Sequence, residues 1–262
     1  MALLEIRGLG KHYDGLKALS EVSFDVDEGL IVSLIGPNGA GKTTLFDCLT
    51  GYIPRTAGVV SFAGRDISGL EPHQVNAAGI ARTFQQIRLF PALTVLENVM
   101  VGMHARTRGG VFAAAARPRW YRDQEEHMRE QAREVLALFQ ERLLPRQEQK
   151  VSELSYANRR RVEIARALAA RPRLLLLDEP AAGMNPHETA LATALVADLR
   201  AAGQTILLIE HDMKMVMSIS DRVVVLDHGV KIAEGTSAAV QNDPQVIEAY
   251  MGRRHDHDAQ LA

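Results

Sequence analysis

An α/β fold with a largely parallel sheet is predicted, and three observations carry that prediction. A nearly all-apolar run, Leu30-Ile31-Val32-Ser33-Leu34-Ile35, leads into Gly36-Pro37-Asn38-Gly39-Ala40-Gly41-Lys42-Thr43-Thr44 and then a helical stretch. Two later apolar runs stop abruptly at polar pairs: Arg173-Leu174-Leu175-Leu176-Leu177 at Asp178-Glu179, and Thr205-Ile206-Leu207-Leu208-Ile209 at Glu210-His211. Helical stretches such as 188–202 separate some of these runs. Continuous apolar runs suit strands buried on both faces, and strand–helix alternation argues parallel pairing.

The elements follow in chain order. Leu3 to Arg7 and Leu19 to Val26 read as strands, the second with the alternation of a half-exposed strand, and they predict an N-terminal antiparallel β subdomain. Leu30 to Ile35 is a fully buried strand, Lys42 to Thr50 a helix ended by Gly51, and Gly58 to Gly64 a short strand entering a turn. From about Leu93 to Ser152 the pattern changes. Residues 125–144 place Val135, Leu136, Leu138, Phe139 and Leu143 on one helical face, which predicts an inserted α-helical subdomain. Within it, 104–122 carries Arg106, Arg108, Arg117, Arg119 and Arg122 with no acidic residue, plus Trp120 and Tyr121. This stretch reads either as a docking surface facing anionic headgroups or as a solvated loop.

Strand signals then return. Arg222 to Leu226 meets the turn Asp227-His228-Gly229 and a partner strand, Val230 to Ala233. The polar end, 253–258, contains His255 and His257 and is expected to be a frayed tail rather than a metal site. The predicted domains are 1–92 and 159–241 for the core, 93–158 for the helical subdomain, and 242–262 for a C-terminal helix and tail.

Composition narrows the function classes. The 262 residues are 47% hydrophobic and 24% charged with a net charge of −2, so a sizeable core is available and no global field favours nucleic acid. The single Cys48 cannot form an internal disulfide, which is compatible with a reducing compartment. No run of 18 apolar residues spans a membrane and the N-terminus lacks a signal peptide's regions, so a membrane role is expected to come through partners.

The glycine-rich stretch contains GxxxxGK[ST] between a strand and a helix. That geometry holds a triphosphate: glycines let backbone N–H groups turn toward phosphate oxygens, and the helix N-terminus adds partial positive charge. Lys42 reaches the β- and γ-phosphates, and the Thr43 hydroxyl is placed for Mg²⁺. The expected fold is therefore a P-loop NTPase (RecA-like) core. Ligands of open parallel sheets sit at the strands' carboxyl ends, which is where Asp178 would hold the Mg²⁺ shell and Glu179 would polarise the attacking water. Tyr13, Gln85 and His211 are weak signals singly; their order gives them weight.

That order resembles the ATP-binding subunits of ABC transporters over essentially the whole chain. The resemblance implies that Tyr13 stacks on adenine, and that Gln85 touches Mg²⁺ and the lytic water and contacts a transmembrane subunit. It makes Leu154-Ser155-Tyr156-Ala157-Asn158 the signature motif, 181–186 the D-loop and His211 the switch histidine. It implies catalytic roles for Glu179, His211 and Gln85, nucleotide contacts from Tyr13 and from Gly36 through Thr44, and Mg²⁺ contacts from Thr43, Gln85 and Asp178. Ser155 would serve the ATP of a partner subunit in a head-to-tail dimer. The implied partners are a second ABC ATPase (different or identical), two permease subunits and, indirectly, a solute-binding protein, at the cytoplasmic face of the membrane.

Ala181-Ala182-Gly183-Met184-Asn185-Pro186, Ile209 to Lys214, the ending Asn242 to Gly252 and the long basic insertion look like the branched-chain amino acid uptake branch. The alternatives are urea or short-amide uptake, lipopolysaccharide export, and a non-transport ABC ATPase. A degenerate regulator is disfavoured because Lys42, Asp178, Glu179 and His211 are all present. Two departures stand out. Tyr156 and Ala157 replace the two glycines of the signature, the second expected to bring a Cβ toward the partner's γ-phosphate, and Asn185 stands where many relatives carry Asp.

Overall fold

A computed structural model describes residues 2–104, 113, 116–139 and 142–258, with side chains to residue 251 at the C-terminal end. In chain order the elements are β1 (Ala2–Tyr13), β2 (Leu16–Asp27), β3 (Ile31–Ile35), α1 (Lys42–Leu49), β4 (Ala57–Phe62), β5 (Arg65–Asp66), α2 (Pro72–Ala78) and β6 (Ile80–Arg82). Then come α3 (Val95–Gly102), α4 (Arg119–Ala137), α5 (Tyr156–Ala169), β7 (Leu174–Asp178), α6 (Pro186–Ala201) and β8 (Thr205–Ile209). The chain closes with α7 (Met213–Ile219), β9 (Arg222–Asp227), β10 (Val230–Gly235), α8 (Ser237–Gln241) and α9 (Pro244–Asp258). They fold as two compact units, Met1–Val75 with Leu176–Ala262, and Asn76–Leu175.

The first unit holds an antiparallel sheet in the order β2-β1-β4-β5 and the strands β10-β9-β3-β8-β7 of a second sheet. β3 runs parallel to both β8 and β9, whereas β10 returns antiparallel to β9. Every residue of β3, β7 and β8 is buried, as their apolar runs require. Burial of each such aliphatic side chain contributes about 1.5–3 kcal/mol. The polar exception in β3, Ser33, pairs its hydroxyl with that of Ser220 at 2.6 Å. Ile35, the last residue of β3, packs with Val216, Val223, Val225, Val240 and Val246, so the C-terminal segment is built onto the strand that delivers the glycine-rich loop.

In the second unit β6 lies beside the start of β7. Helix α3 opens with a capping box between Thr94 and Glu97 and runs close against α5. A Cβ on Gly102 would sit 2.0 Å from the Arg166 carbonyl oxygen, so that approach requires glycine. Asn98 is fully buried and exchanges hydrogen bonds with both backbone groups of Phe90 (2.9 and 3.1 Å), pinning the loop after β6.

Two expectations are corrected here. The long helix begins at Arg119, just after Pro118, and stops at Ala137 rather than spanning 125–144. Leu138 consequently leaves the apolar face and is 52% exposed, while Leu136, Phe139 and Leu143 stay buried. The frayed tail is the other correction: α9 continues to Asp258, because no Pro interrupts it and a helix once nucleated propagates cheaply. Of the basic stretch 104–122, residues 105–112 and 114–115 lie outside the described residues. Among the described residues, no helix is long and apolar enough to cross a membrane.

Candidate nucleotide site

The glycine-rich loop is shaped by three glycines at positive φ: Gly36 (149°), Gly39 (81°) and Gly41 (99°). Two of them are pressed from behind. A Cβ on Gly36 would lie 2.0 Å from the Leu226 carbonyl oxygen, and one on Gly41 would lie 2.6 Å from that of Ala18. The brace is completed by hydrogen bonds from Gly229 N–H to the Ala40 carbonyl (3.1 Å) and from Ser20 N–H to the Gly229 carbonyl (2.8 Å). Gly39 differs, since its Cβ position faces open space. The Lys42 ammonium donates to the carbonyls of Gly36 (2.7 Å) and Pro37 (2.9 Å), which holds it over the loop.

Helix α1 begins at Lys42 without a side-chain cap. Helices α3, α5, α6, α7 and α8 each have one, from Thr94, Ser155, Asn185, Asp212 and Thr236. No acidic residue stands in the first turn of α1, and Thr43 and Thr44 add hydroxyls there. A lysine, two hydroxyls and the positive end of a helix dipole fit a polyphosphate. Tyr13 ends β1 with its ring 43% exposed, and the Lys11 ammonium lies 4.6 Å from the ring centroid while donating to the Pro54 carbonyl at 2.9 Å.

The carboxylates stand at the ends of neighbouring buried strands. Asp178 ends β7 and is 1% exposed. Glu179 follows at φ 49°, a left-handed conformation fixed by its N–H donating to the Ile209 carbonyl of β8 at 2.9 Å. His211 Nδ1 sits 3.9 Å from a carboxylate oxygen of Glu179 and 3.9 Å from one of Glu210. Glu210 itself is buried, and its oxygens accept the N–H groups of Ala181 (2.9 Å), His211 (3.1 Å) and Asp212 (3.4 Å). Asn185 caps α6 through a reciprocal box with Glu188.

The other two candidates lie in the second unit. Gln85 follows β6, with its backbone carbonyl accepting from Arg160 at 2.6 Å. Ser155 is the N-cap of α5, accepting from the Asn158 N–H at 3.4 Å. The first unit thus carries Tyr13, Gly36 through Thr44, Asp178, Glu179 and His211, of which Glu179 and His211 are brought face to face, and the second carries Gln85 and Ser155.

Residues 19–182 match the family model described as "ABC transporter", and residues 230–256 match "Branched-chain amino acid ATP-binding cassette transporter". The chain belongs to the ABC transporter family. It is 45% identical over 254 residues to the high-affinity branched-chain amino acid transport ATP-binding protein LivG of Salmonella typhimurium, covering 95% of this chain and 98% of that one. BraF of Pseudomonas aeruginosa, with the same description, is 44% identical over 256 residues at 95% and 98% coverage. Among solved structures, the ADP conformation of MJ1267, an ATP-binding cassette of an ABC transporter, matches with TM-score 0.84 and 35% identity over 96% of this chain and 99% of that one.

The fold of this ABC cassette is the expected P-loop NTPase core. One expectation about the ABC signature is corrected. Ala157 is 3% exposed, so its methyl is packed inside the second unit, and Tyr156, 47% exposed, is the departure that faces outward. Sequence reasoning missed four residues. Glu210 carries the same signal as Asp178-Glu179, an acid ending an apolar strand. Lys11 lies two residues before Tyr13, on the alternation that puts both on one face of a strand. Arg160 and Glu163 sit at helical spacing on α5 but gave no local sign of their burial.

Proposed function

We propose that the chain is the ATP-hydrolysing subunit of an importer for branched-chain or other hydrophobic amino acids. The observation that carries this reading is the match at 230–256 to the branched-chain family model, in a segment whose Val240 and Val246 pack on the strand entering the phosphate loop. The names of LivG and BraF support the same solute class. The subunit would work at the cytoplasmic face of the membrane with two permeases, a solute-binding protein and a second ABC ATPase, different or identical. The solved dimer of MJ0796, 27% identical with TM-score 0.75 over 89% of this chain and 98% of that one, supports cassette pairing.

In this reading Tyr13 stacks on adenine, the loop from Gly36 to Thr44 cradles the phosphates, and Lys42 moves from its carbonyl partners onto the β- and γ-phosphates. Thr43, Asp178 and Gln85 would hold Mg²⁺, which neutralises phosphate charge. The Glu179 carboxylate takes a proton from the attacking water, and His211 beside it orients the reacting end. Ser155, at the positive end of α5, serves the partner's ATP, so that closing the dimer depends on the γ-phosphate and cleavage reopens it.

Uptake in a strain lacking this chain, complemented with the unsubstituted chain or with Lys42→Ala, tests the proposal. Radiolabelled leucine uptake is expected to return only with the unsubstituted chain. Restored urea or short-amide uptake with no change for leucine would replace it by the related uptake system.

A further inference from the structure

Arg160 is fully buried, and its charge is spent on backbone as much as on its partner. Nη1 donates to Glu163 Oε2 at 2.8 Å and to the Phe84 carbonyl, and Nη2 donates to the Gln85 carbonyl at 2.6 Å. Glu163, 1% exposed, turns its other oxygen to the N–H groups of Phe84 (3.3 Å) and Arg88 (3.4 Å). The peptide groups on both sides of Phe84 are therefore clasped by one ion pair on α5. The Phe84 ring is covered by the guanidinium groups of Arg88 at 4.1 Å and Arg82 at 4.9 Å.

A buried ion pair is poor evidence of stabilisation, since desolvation offsets the attraction and an apolar pair of similar volume is often as stable. Arg160 Nε, moreover, has no partner. What the pair supplies is geometry. It joins the segment 84–88 to the helix capped by Ser155, which lies one turn before Arg160.

We propose that Arg160 and Glu163 are positioning residues that make Gln85 and Ser155 move as one body. Nucleotide engaged through Gln85 then repositions the serine offered to the partner's nucleotide. The proposal rests on the roles given above to Gln85 and Ser155, and it adds the device that couples them inside one chain.

The test uses the full chain carrying Cys48→Ala and Glu153→Cys, with an environment-sensitive fluorophore at the exposed position 153, two residues from Ser155. Saturating Mg²⁺-ATP is expected to shift the emission. Arg160→Met with Glu163→Met removes both charges together, so folding and the affinity for a fluorescent ATP analogue are expected to persist while most of the emission shift is lost. Arg160→Lys keeps the charge beside Glu163 but cannot fork onto two carbonyls, and is expected to lose part of the shift; it decides the matter if the methionine pair does not fold. A full shift in the deciding variant overturns the proposal, as does a parent that binds the analogue without any shift. A parent that binds no nucleotide refutes the site reading itself, an outcome the titration shows separately.

Discussion

Glu210 accepts the Ala181 backbone N–H at 2.9 Å, although 29 residues separate the two. Its second oxygen holds the N–H groups of His211 and Asp212, so one buried carboxylate fixes both the turn after Glu179 and the residue that faces Glu179. In the proposed mechanism the reacting groups would be positioned by an acid that need not touch substrate.

Glu210→Ala leaves the buried Ala181 N–H and the half-buried N–H groups of His211 and Asp212 without this acceptor, at about 1–3 kcal/mol for each buried group left unsatisfied. We expect a lower melting temperature and hydrolysis reduced by about tenfold to a hundredfold, with nucleotide affinity little changed, because a small displacement of catalytic groups costs on that scale. Phosphate release and nucleotide titration on the same preparation check this. Unaltered turnover would remove Glu210 from the site.

Glu179→Gln keeps the shape of the side chain and removes the base. Turnover should fall by about 10²–10⁴-fold while ATP is retained and the closed dimer accumulates. Size-exclusion chromatography with ATP, beside phosphate release, reads both effects; undiminished release would refute the role given to Glu179.

Lys11 steadies one face of Tyr13. A cation over an exposed ring contributes about 0.5–1 kcal/mol, so Lys11→Met should weaken ATP binding by about two- to fivefold. Tyr13→Ala should weaken it more, and adding Lys11→Met to Tyr13→Ala should change little. Additive losses in this double-mutant cycle would show that the two act independently.

The loop glycines are not equivalent. Gly36→Ala drives a Cβ into the Leu226 carbonyl and should destabilise the fold. Gly39→Ala meets no atom, so only its left-handed backbone is penalised, by about 1–2 kcal/mol, while its methyl would stand in the proposed phosphate cradle. Thermal melts and nucleotide titration should separate them: Gly39→Ala folds and binds poorly, whereas Gly36→Ala melts early.

Burial pushes the Cys48 thiol up to about 11, with Asp47 adding to the rise and Lys11 and Arg55 opposing it. The folded state therefore favours the neutral thiol. Its stabilising contribution is intact below the ordinary thiol range near 9 and is lost as pH climbs toward 11. Iodoacetamide labelling of the native chain should be slow at pH 8 and accelerate up to about pH 11, whereas labelling in denaturant should level off near pH 9. Native labelling that levels off near pH 9 would contradict the burial of this thiol.

The readable parts of the sequence were those with local causes. An apolar run, a turn of glycines and an acid at a strand end each state their geometry within a few residues, so the glycine-rich loop, β7 with Asp178 and Glu179, and β8 were legible. The boundaries of α4 were not, because Pro118 sets the start while Leu138 and Phe139, adjacent in sequence, part into solvent and core. The clasp of Arg160 and Glu163 on Phe84 was invisible for a different reason. Its partners lie 76 and 79 residues away along the chain, beyond the reach of any local pattern. Ala157 was misread because the helix start decides which signature side chains turn inward.

No side chain caps α1, the helix that follows the glycine-rich loop. In the proposed binding mode nucleotide would add acceptors at this helix start, as Thr94 and Asn185 do at theirs, and ATP would be a component of the fold as well as its fuel. Heat resistance should therefore track nucleotide concentration, gaining about 2.7 kcal/mol at a hundred times the dissociation constant. A cell short of ATP would hold this subunit in a looser form before any transport had failed.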